Sequence, residues 1–324
     1  MSEIIGKEIQ LGVKVEGTRG TAETVASKWV KNVTADIFAR VEKVVDDNSQ
    51  GVLEDSSQTR VIKKWFDGDL AGIVHADAIG YFFEQIYGQS TTTTVETGEV
   101  YSHAYSVLQN IEHPTLSLFA KDGGVSQEVF SGGVVSTLEL TATTDDFLRF
   151  NTNLMAKEAT TNTDTPAYAT DYDFIGKDII IKIASTEAGL SSATALKAKD
   201  LGITWDTGAT ADYCFGSYSP SDVYNQKMMI EGTITKNYID DTFKDLLTSD
   251  TAVYMEIAIV GETVLEGSNS PEIKILLNKV QVQDWDRSGA NDDIVTEEIT
   301  FKALYNNADS QQSELTLQNT TASY

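Results

Sequence analysis

The sequence is poor in the residues that most often carry chemistry. It contains one cysteine, Cys214, together with three histidines and four prolines in 324 residues. A single cysteine excludes an intrachain disulfide and fits assembly in a reducing compartment. No run of about 18 apolar residues occurs, so we expect no helix that spans a membrane. The first residues also lack the basic region and apolar stretch of a secretory signal.

Basic residues are scarce as well. The chain has 24 Lys and Arg against 49 Asp and Glu, which gives a formal net charge of −25. A surface of this charge repels nucleic acid phosphates and anionic lipid. Two interpretations stay open at this point, namely ordinary solubility and a surface that lies close to DNA without adhering to it.

One short pattern occurs twice, at 66–83 and at 230–247. Since the copies are 164 positions apart, about half of the chain, an internal duplication is the first hypothesis. It predicts two domains, 1–165 and 166–324, joined by the polar stretch 158–167 with its single proline. The matched pairs are Gly68 and Gly232, Asp77 and Asp241, Ile79 and Phe243, Phe82 and Leu246, and Phe83 and Leu247.

Most segments alternate between apolar and polar residues. This period of two is typical of half-buried strands in antiparallel sheets. In the stretch 295–303 the apolar face carries one acidic exception, Glu297. The predicted strands include 137–141, 148–156, 179–183, 280–283 and 295–303.

Two segments have helical spacing, and each lies in one copy of the repeat. Asp77 is predicted to cap the first helix and Gly88 to end it, while Asp240 or Asp241 caps the second. Each helix has one apolar stripe, which we expect to lie on a sheet. The stripes are Ile79, Phe82, Phe83 and Ile86 in the first helix, and Phe243, Leu246 and Leu247 in the second.

Several stretches are predicted to lie outside regular structure. The last strands of the two halves are 147 positions apart, so the first half has 164 − 147 = 17 additional residues before its last strand. The polar stretch 89–98 is predicted to be a loop that holds some of them. The N-terminal residues through Thr24 and the polar tail after Tyr305 are predicted to be arms that become ordered on a neighbouring subunit.

The sequence contains only weak candidates for a metal site or a catalytic nucleophile. His75, His103 and His113 have no neighbour at metal-ligand spacing, and Cys214 is predicted to be a small buried packing residue. The stretch 46–51 resembles the start of a calcium loop, but Ser57 stands where a bidentate Glu is required. We therefore interpret that stretch as a solvated hairpin tip.

No catalytic arrangement emerges from the acidic or aromatic residues. Adjacent acidic pairs follow from the composition, and no phosphate loop, nucleophile elbow or zinc-protease helix is present. The four tryptophans, Trp29, Trp65, Trp205 and Trp285, are predicted to pack on strands. The sequence thus predicts no enzyme and no catalytic, cofactor or metal site.

The order of these elements resembles that of the tail tube proteins of long-tailed bacteriophages. The resemblance is carried by 15–23 followed by Trp29, by 60–72 followed by the first helix, and by 216–220, 231–235 and 297–305. It implies a mainly β fold with one helix per half, that is, two tail-tube-like antiparallel β-sandwich or barrel units, each flanked by an α-helix.

The resemblance also implies a function. Such proteins are structural virion proteins that form stacked rings, whose inner strands join into one β-barrel around a channel for DNA. The duplication favours three subunits per ring over six. The implied partners are other copies, tape measure proteins, terminator or tip proteins, and duplex DNA that passes without specific binding. The implied location is the virion tail, after assembly in the host cytoplasm and without a membrane.

Two other functions stay open. One is a carbohydrate-binding or host-attachment β-sandwich tail protein, and the other is an acidic hydrolase. Under the tail tube hypothesis, the candidate stacking loops are 45–58 and 208–222. The polar residues opposite apolar strand faces are candidates for the channel wall, namely Glu139, Lys182, Gln281, Gln283 and Lys302.

Overall fold

The computed structural model describes residues 3, 5–46, 51–53, 55–96 and 98–324. These residues form a mainly β structure in which every strand pairing is antiparallel, as the alternating pattern predicts. The described helices are α1 (Ile79–Tyr87), α2 (Glu187–Leu190) and α3 (Thr242–Ser249), with 3-10 turns at Gly6–Glu8 and Gly176–Asp178. The described strands are β1 (Ile9–Val15), β2 (Lys28–Val30), β3 (Val33–Val45), β4 (Thr59–Ile73), β5 (Gly88–Glu96), β6 (Val100–Val107), β7 (Leu116–Asp122), β8 (Ser126–Thr143), β9 (Arg149–Ala156), β10 (Ala159–Thr161), β11 (Ile179–Ala184), β12 (Ala198–Asp206), β13 (Thr210–Asp212), β14 (Asp222–Tyr224), β15 (Met229–Asn237), β16 (Val253–Val260), β17 (Glu272–Ser288), β18 (Thr296–Ala303) and β19 (Ser313–Asn319).

The first large sheet has eight strands, in the order β3-β4-β9-β8-β12-β15-β18-β17. Four of these strands come from each half of the sequence. The last strand, β17, takes part through its C-terminal portion, 280–288. The pairing of β8 with β12 joins the two halves within this eight-stranded sheet.

The second large sheet has six strands, in the order β11-β16-β17-β19-β6-β5. Here β17 contributes its N-terminal portion, 272–280. Strand β19 lies between β17 of the second half and β6 of the first half. A smaller sheet, β2-β1-β7-β8-β10, extends the first half, and β13 and β14 form a separate hairpin.

The largest hydrophobic core contains side chains from both halves. Helix α1 lies between the two large sheets, because the ring of Phe83 is 6.0 Å from that of Trp205 on β12 and 6.1 Å from that of Tyr105 on β6. On the same helix, Phe82 lies 5.8 Å from Phe150 on β9. The two halves therefore share packing, and the domain boundary at 165 stays a prediction.

The helix ends agree only in part with the predicted signals. Gly88 ends α1 in the left-handed region with φ of 82°, as predicted. Asp77 is not its cap, because the cap position is Ala78 and no side chain caps it. For α3, the cap position is Asp241, one of the two predicted caps, but its side chain makes no capping hydrogen bond. The carboxylate of Asp240 instead accepts a hydrogen bond from the Thr242 amide at 3.0 Å.

Three predictions of irregular structure are wrong. The stretch 89–98 lies mostly in β5, which pairs with β6; residue 97 lies outside the described residues. Its run of Thr followed by Val favours a strand, because β-branched side chains fit a pleated surface. The N-terminal stretch contains β1, which pairs with β7, and the C-terminal tail contains β19. The described parts of both ends therefore pair with strands of their own chain.

The structure contains a repeat signal that the sequence pattern did not reveal. The pairing of β8 with β9 is interrupted by one extra residue, Ser136, and the pairing of β17 with β18 by Gln283. These two β-bulges are 147 positions apart, which is the spacing of the last strands of the two halves. Since bulges are designed features of a sheet rather than defects, their equivalence supports the duplication.

Close packing requires a glycine at position 232, which belongs to the repeat. A Cβ atom at this position would contact the carbonyl oxygen of Gly202 on β12 and lie 2.5 Å from Phe301 on β18. Glycine permits that approach because it has no side chain.

Candidate assembly surfaces

One face of the eight-stranded sheet is polar and faces away from the core. On β4, for example, Phe66 and Leu70 are buried, whereas Asp67 and Asp69 alternate with them on the opposite side. We call this side the polar face. Acidic residues outnumber basic ones on it: its charged residues include Asp36, Glu42, Asp67, Asp69, Glu139, Asp200, Asp206, Glu231, Asp284, Asp286 and Glu298, together with Arg40, Lys63, Arg149 and Lys302.

The predicted channel residues divide between the two sheets. Glu139, Gln281 and Lys302 lie on the polar face, and Gln283 is the bulge residue at its margin. Lys182 lies on β11 of the six-stranded sheet and is therefore not part of the polar face.

Short polar contacts organise the polar face. The Asn153 amide donates hydrogen bonds to the carboxylates of Asp67 at 3.2 Å and Asp69 at 3.0 Å. Lys302 pairs with Glu231 at 2.6 Å across β18 and β15. Such exposed pairs contribute little to stability, so they fix side-chain positions more than they hold the sheet together.

The two edges of the eight-stranded sheet have free backbone groups. Among the described residues, β3 pairs with β4 alone, and the 281–288 portion of β17 pairs with β18 alone. The distal part of β3 also exposes Val41, Val44 and Val45. An unpaired edge with exposed apolar side chains is a template for pairing with another chain.

The two equivalent hairpins of the sheet end in exposed loops. One connects β3 with β4, and its described residues include Leu53, which is 105% exposed. The other connects β12 with β15 and includes Phe215, which is 109% exposed. The calcium-like stretch 46–51 lies in the first loop, and its residues 47–50 fall outside the described residues.

Cys214 lies in the second of these loops and is exposed. The prediction of a buried packing residue is therefore wrong. The loop between β13 and β14 contacts β4, because the Lys64 amide donates a hydrogen bond to the Tyr218 carbonyl oxygen at 2.8 Å. The Cys214 Sγ lies 3.7 Å from the Ser221 hydroxyl oxygen and 3.9 Å from the Asp212 carboxylate.

The tryptophans lie on strands, as predicted. Trp29 and Trp205 are buried, whereas Trp65 and Trp285 are half-buried. The indole of Trp285 donates a hydrogen bond to Glu297 at 2.6 Å. Burial of Trp29 and Trp205 agrees with the predicted packing on strands, whereas Trp65 and Trp285 keep part of their side chains in contact with solvent.

A cleft of about 580 Å³ lies between the segment after β6 and the segment before β15. Its walls are mostly amide and aliphatic groups, including Gln109, Asn225, Gln312 and Met228. His113 lines it but already contacts the carbonyl oxygens of Gln85 and Leu108. The cleft therefore offers no pair of free acid and base groups.

The three histidines are buried, and each contacts a protein polar group, although Nδ1 of His75 has no hydrogen-bond partner within the part of the chain that the structure describes. Among the described residues, no three His, Cys, Asp or Glu side chains come together as a group that could hold a metal ion. His103 Nε2 lies 2.9 Å from the Thr321 carbonyl oxygen, and Nδ1 lies 2.8 Å from the Thr92 hydroxyl. These partners are those of a neutral ring with its proton on Nε2. Burial lowers the pKa of His103 below its usual value, although its hydrogen bonds to Thr321 and Asn319 oppose that effect.

The lowered pKa of His103 predicts a loss of stability in acid. Below its ordinary pKa of about 6.5, the unfolded chain binds a proton that the folded chain binds less readily. Stability is therefore retained above about pH 6.5 and falls as the pH decreases toward 5. We expect His103→Gln to reduce the fall in melting temperature between pH 7 and pH 5, measured by circular dichroism.

A second buried histidine also contributes to the acid sensitivity of the fold. His75 is also buried, and burial lowers its pKa too, so part of the acid sensitivity is expected to persist in the His103 variant. An unchanged slope of melting temperature against pH in His103→Gln would contradict the assignment.

The sheet order, the polar face and the unpaired sheet edges define the chain as a mainly β protein. A family model described as phage tail tube protein matches residues 6–303. The chain therefore belongs to the phage tail tube protein family, as the resemblance predicted. It is a structural component of the phage tail, and the family implies a non-enzymatic role.

Two further observations accompany this assignment. A comparison with curated proteins finds no match. In the described part of the chain, the helices are too short or too polar to cross a membrane.

The residues at the sheet edges were missed by the sequence interpretation. Arg40 lies on β3, and Asp284 lies on the free portion of β17. Nothing in the local pattern distinguishes an edge strand from a central one here, because both alternate in the same way. Their role depends on strand order, which becomes visible only in the folded chain.

Proposed function

We propose that copies of this chain form stacked rings in which the eight-stranded sheets close into one channel, lined by the polar face. Duplex DNA passes along this channel from the virion into the host. The observation that carries the proposal is a sheet with an acidic solvent-facing side and free edges at both ends.

Strand direction supports closure by rotation. All pairings are antiparallel, and the sheet contains an even number of strands, so β3 and the free portion of β17 run in opposite directions. A rotation that brings β17 of one copy beside β3 of the next therefore creates another antiparallel pair. A ring of any number of copies then closes without a mismatched edge.

Channel width favours three copies. With strands about 4.8 Å apart and tilted by about 40°, three copies give a closed sheet about 48 Å across between backbones. Side chains reduce this width to about 40 Å, which admits a B-form duplex with its hydration. By the same geometry, two copies give a sheet about 32 Å across, which leaves about 24 Å between side chains, and six give a sheet about 96 Å across. Three copies also agree with the duplication, and six stay the alternative.

Acidity suits a channel that must not retain DNA. Carboxylates repel phosphates, and the screening length of about 8 Å at physiological salt limits this effect to charges near the duplex. The polar face places Asp67, Asp69 and Glu139 on its surface. DNA is therefore expected to pass without specific binding.

The exposed hairpin loops are proposed to make contacts between rings. The loops 45–58 and 208–222 occupy equivalent places in the two halves and expose Leu53 and Phe215. Tape measure and terminator or tip proteins are the other proposed partners, with assembly in the host cytoplasm. The proposal assigns no catalytic, cofactor or metal site.

Electron microscopy and mass measurement of the concentrated full-length protein test this proposal. We expect rings or tubes with an open axis, and a single-ring mass of three chains. A mass of six chains would replace the threefold arrangement while leaving the channel intact. A chain that stays monomeric at every salt concentration and pH would contradict the proposed assembly.

A further inference from the structure

We infer that the junction between β8 and β12 inside the chain is the template for the junction between copies. In this arrangement the free portion of β17 pairs with β3 of a second copy, and Asp284 lies opposite Arg40. The inference rests on the proposed ring and adds to it a specific register and specific contact residues.

Strands β12 and β3 are equivalent members of the repeat. Ile203 of β12 lies opposite Gly232 of β15, and Ile37 of β3 lies opposite Gly68 of β4. Since Gly68 and Gly232 are the matched glycines, Ile37 corresponds to Ile203. Positions 34–40 of β3 thus correspond to positions 200–206 of β12, which lie 166 residues later.

Strand β8 and the free portion of β17 are equivalent as well. Leu138 of β8 pairs with Thr152 of β9, and Trp285 of β17 pairs with Ile299 of β18. Both pairs are separated by 147 positions, as are the bulge residues Ser136 and Gln283. The bulges fix this alignment to a single residue.

The two correspondences convert the internal register into an intermolecular one. Inside the chain, Asp206 of β12 lies opposite Thr137 of β8, which places Arg40 opposite Asp284. Trp205 opposite Leu138 likewise places Ala39 opposite Trp285, and Gly202 opposite Thr141 places Asp36 opposite Ser288.

The chemistry of the facing residues fits this register. Arg40 and Asp284 are both exposed on the polar face, where directly opposed opposite charges stabilise an antiparallel pair. On the core side, the small Ala39 leaves room for Trp285. The internal junction also has one tryptophan at this level, but there it lies on β12, the counterpart of β3, where Trp205 faces Leu138 of β8.

Neighbouring registers bring like charges together. A shift of two residues in one direction places Glu42 opposite Asp284, with Arg40 then opposite Asp286, and a shift of two in the other direction places Asp36 opposite Asp286. Directly opposed carboxylates destabilise a strand pair. A shift of one residue moves every side chain to the wrong face of the sheet. The register derived from the internal junction thus avoids both the opposed carboxylates and the exchange of sheet faces.

Disulfide trapping in assembled rings tests the register. In a Cys214→Ser background, Arg40→Cys combined with Asp284→Cys places two thiols on directly opposed residues, at about 4.5–5.5 Å between Cα atoms. That distance permits a disulfide. After oxidation with copper phenanthroline, we expect a ladder of linked chains on a non-reducing gel that ends at the number of copies in one ring.

A matched variant controls for chance collisions. Arg40→Cys combined with Ser288→Cys moves one thiol four residues along the strand, by about 13 Å. We expect at least tenfold less cross-linking from this pair. Rings that link both pairs equally, or the control pair preferentially, would overturn the register while the proposed ring function stands.

Charge reversal provides a test without cysteines. We expect Arg40→Asp to reduce the fraction of chain in rings at low salt at least fivefold, and the added Asp284→Arg to restore it. Both positions are exposed, so the monomer is expected to fold in every variant, as circular dichroism would verify. No rescue by the double variant would count against the pairing, and no rings in the unmodified chain would refute both proposals.

Discussion

Replacing Glu297 by alanine is expected to lower the free energy of unfolding by about 3–5 kcal/mol. Glu297 Oε1 lies 2.5 Å from Nζ of Lys236, and their side chains are only 0% and 6% exposed. This contact is an ion pair by distance, although Oε1 accepts no hydrogen bond of good geometry. Removing the carboxylate leaves the Lys236 ammonium buried without its counter-charge, and leaves the Trp285 indole without its acceptor.

The chain offers a matched control next to this residue. Glu298 is exposed on the polar face, so Glu298→Ala is expected to change stability by no more than about 0.5 kcal/mol. The double variant Lys236→Met with Glu297→Leu removes both charges and is expected to recover most of the loss. Urea unfolding followed by tryptophan fluorescence measures all three variants, and equal effects of Glu297→Ala and Glu298→Ala would refute the prediction.

Deleting residues 313–324 is expected to abolish cooperative folding of the chain. Strand β19 pairs with β17 on one side and with β6 on the other, so its removal opens the six-stranded sheet in the middle. Leu315 and Leu317 are buried on this strand, and loss of each buried leucine alone costs about 2–5 kcal/mol. A native chain has only about 5–15 kcal/mol in total, so the deletion exceeds what the fold tolerates.

A shorter deletion separates the strand from the residues after it. Removing 320–324 keeps β19 and removes Tyr324, whose ring packs edge-on against Tyr81 of α1 at 4.8 Å. We expect a loss of about 2 kcal/mol with folding retained. Thermal melting and limited proteolysis distinguish the two variants, and a single sharp transition in the longer deletion would disprove the central role of β19.

Helices α1 and α3 were predictable because their signals are local. Each has an apolar stripe at helical spacing, and Gly88 supplies the left-handed end of α1. Asp77 was assigned wrongly because a capping residue and a residue of a tertiary network look alike in sequence. In the structure its buried carboxylate contacts Lys28 and the hydroxyl of Thr320, which lies 243 positions away.

Strands β5 and β19 were missed for two different reasons. Strand β5 is polar on nearly all its positions, since it lies at the edge of its sheet, so it lacks the alternation that marks a half-buried strand. Strand β19 has the alternation, with Leu315 and Leu317 buried, but it stands in a polar tail whose composition favours disorder. Pairing with strands distant in sequence decides both cases.

The sequence predicted the charge and polarity of the assembly surfaces, but not which strands carry them in the folded chain. Composition indicated an acidic surface, and alternation placed Glu139 and Lys302 opposite apolar strand faces. Which strands lie at the edges depends on the order of the whole sheet, which no local pattern contains. The bulges at Ser136 and Gln283, which supply the clearest evidence for duplication, have no distinctive sequence signal.

The position of β19 has a consequence for the order of events during synthesis. Because translation proceeds from the N-terminus, β19 leaves the ribosome after all the other strands described, at about 5–20 residues per second. Until then β6 has only β5 beside it, and among the described residues no other strand pairing joins the two halves in the six-stranded sheet. Across that sheet, a nascent chain therefore connects its early and late strands only after this last segment has been made.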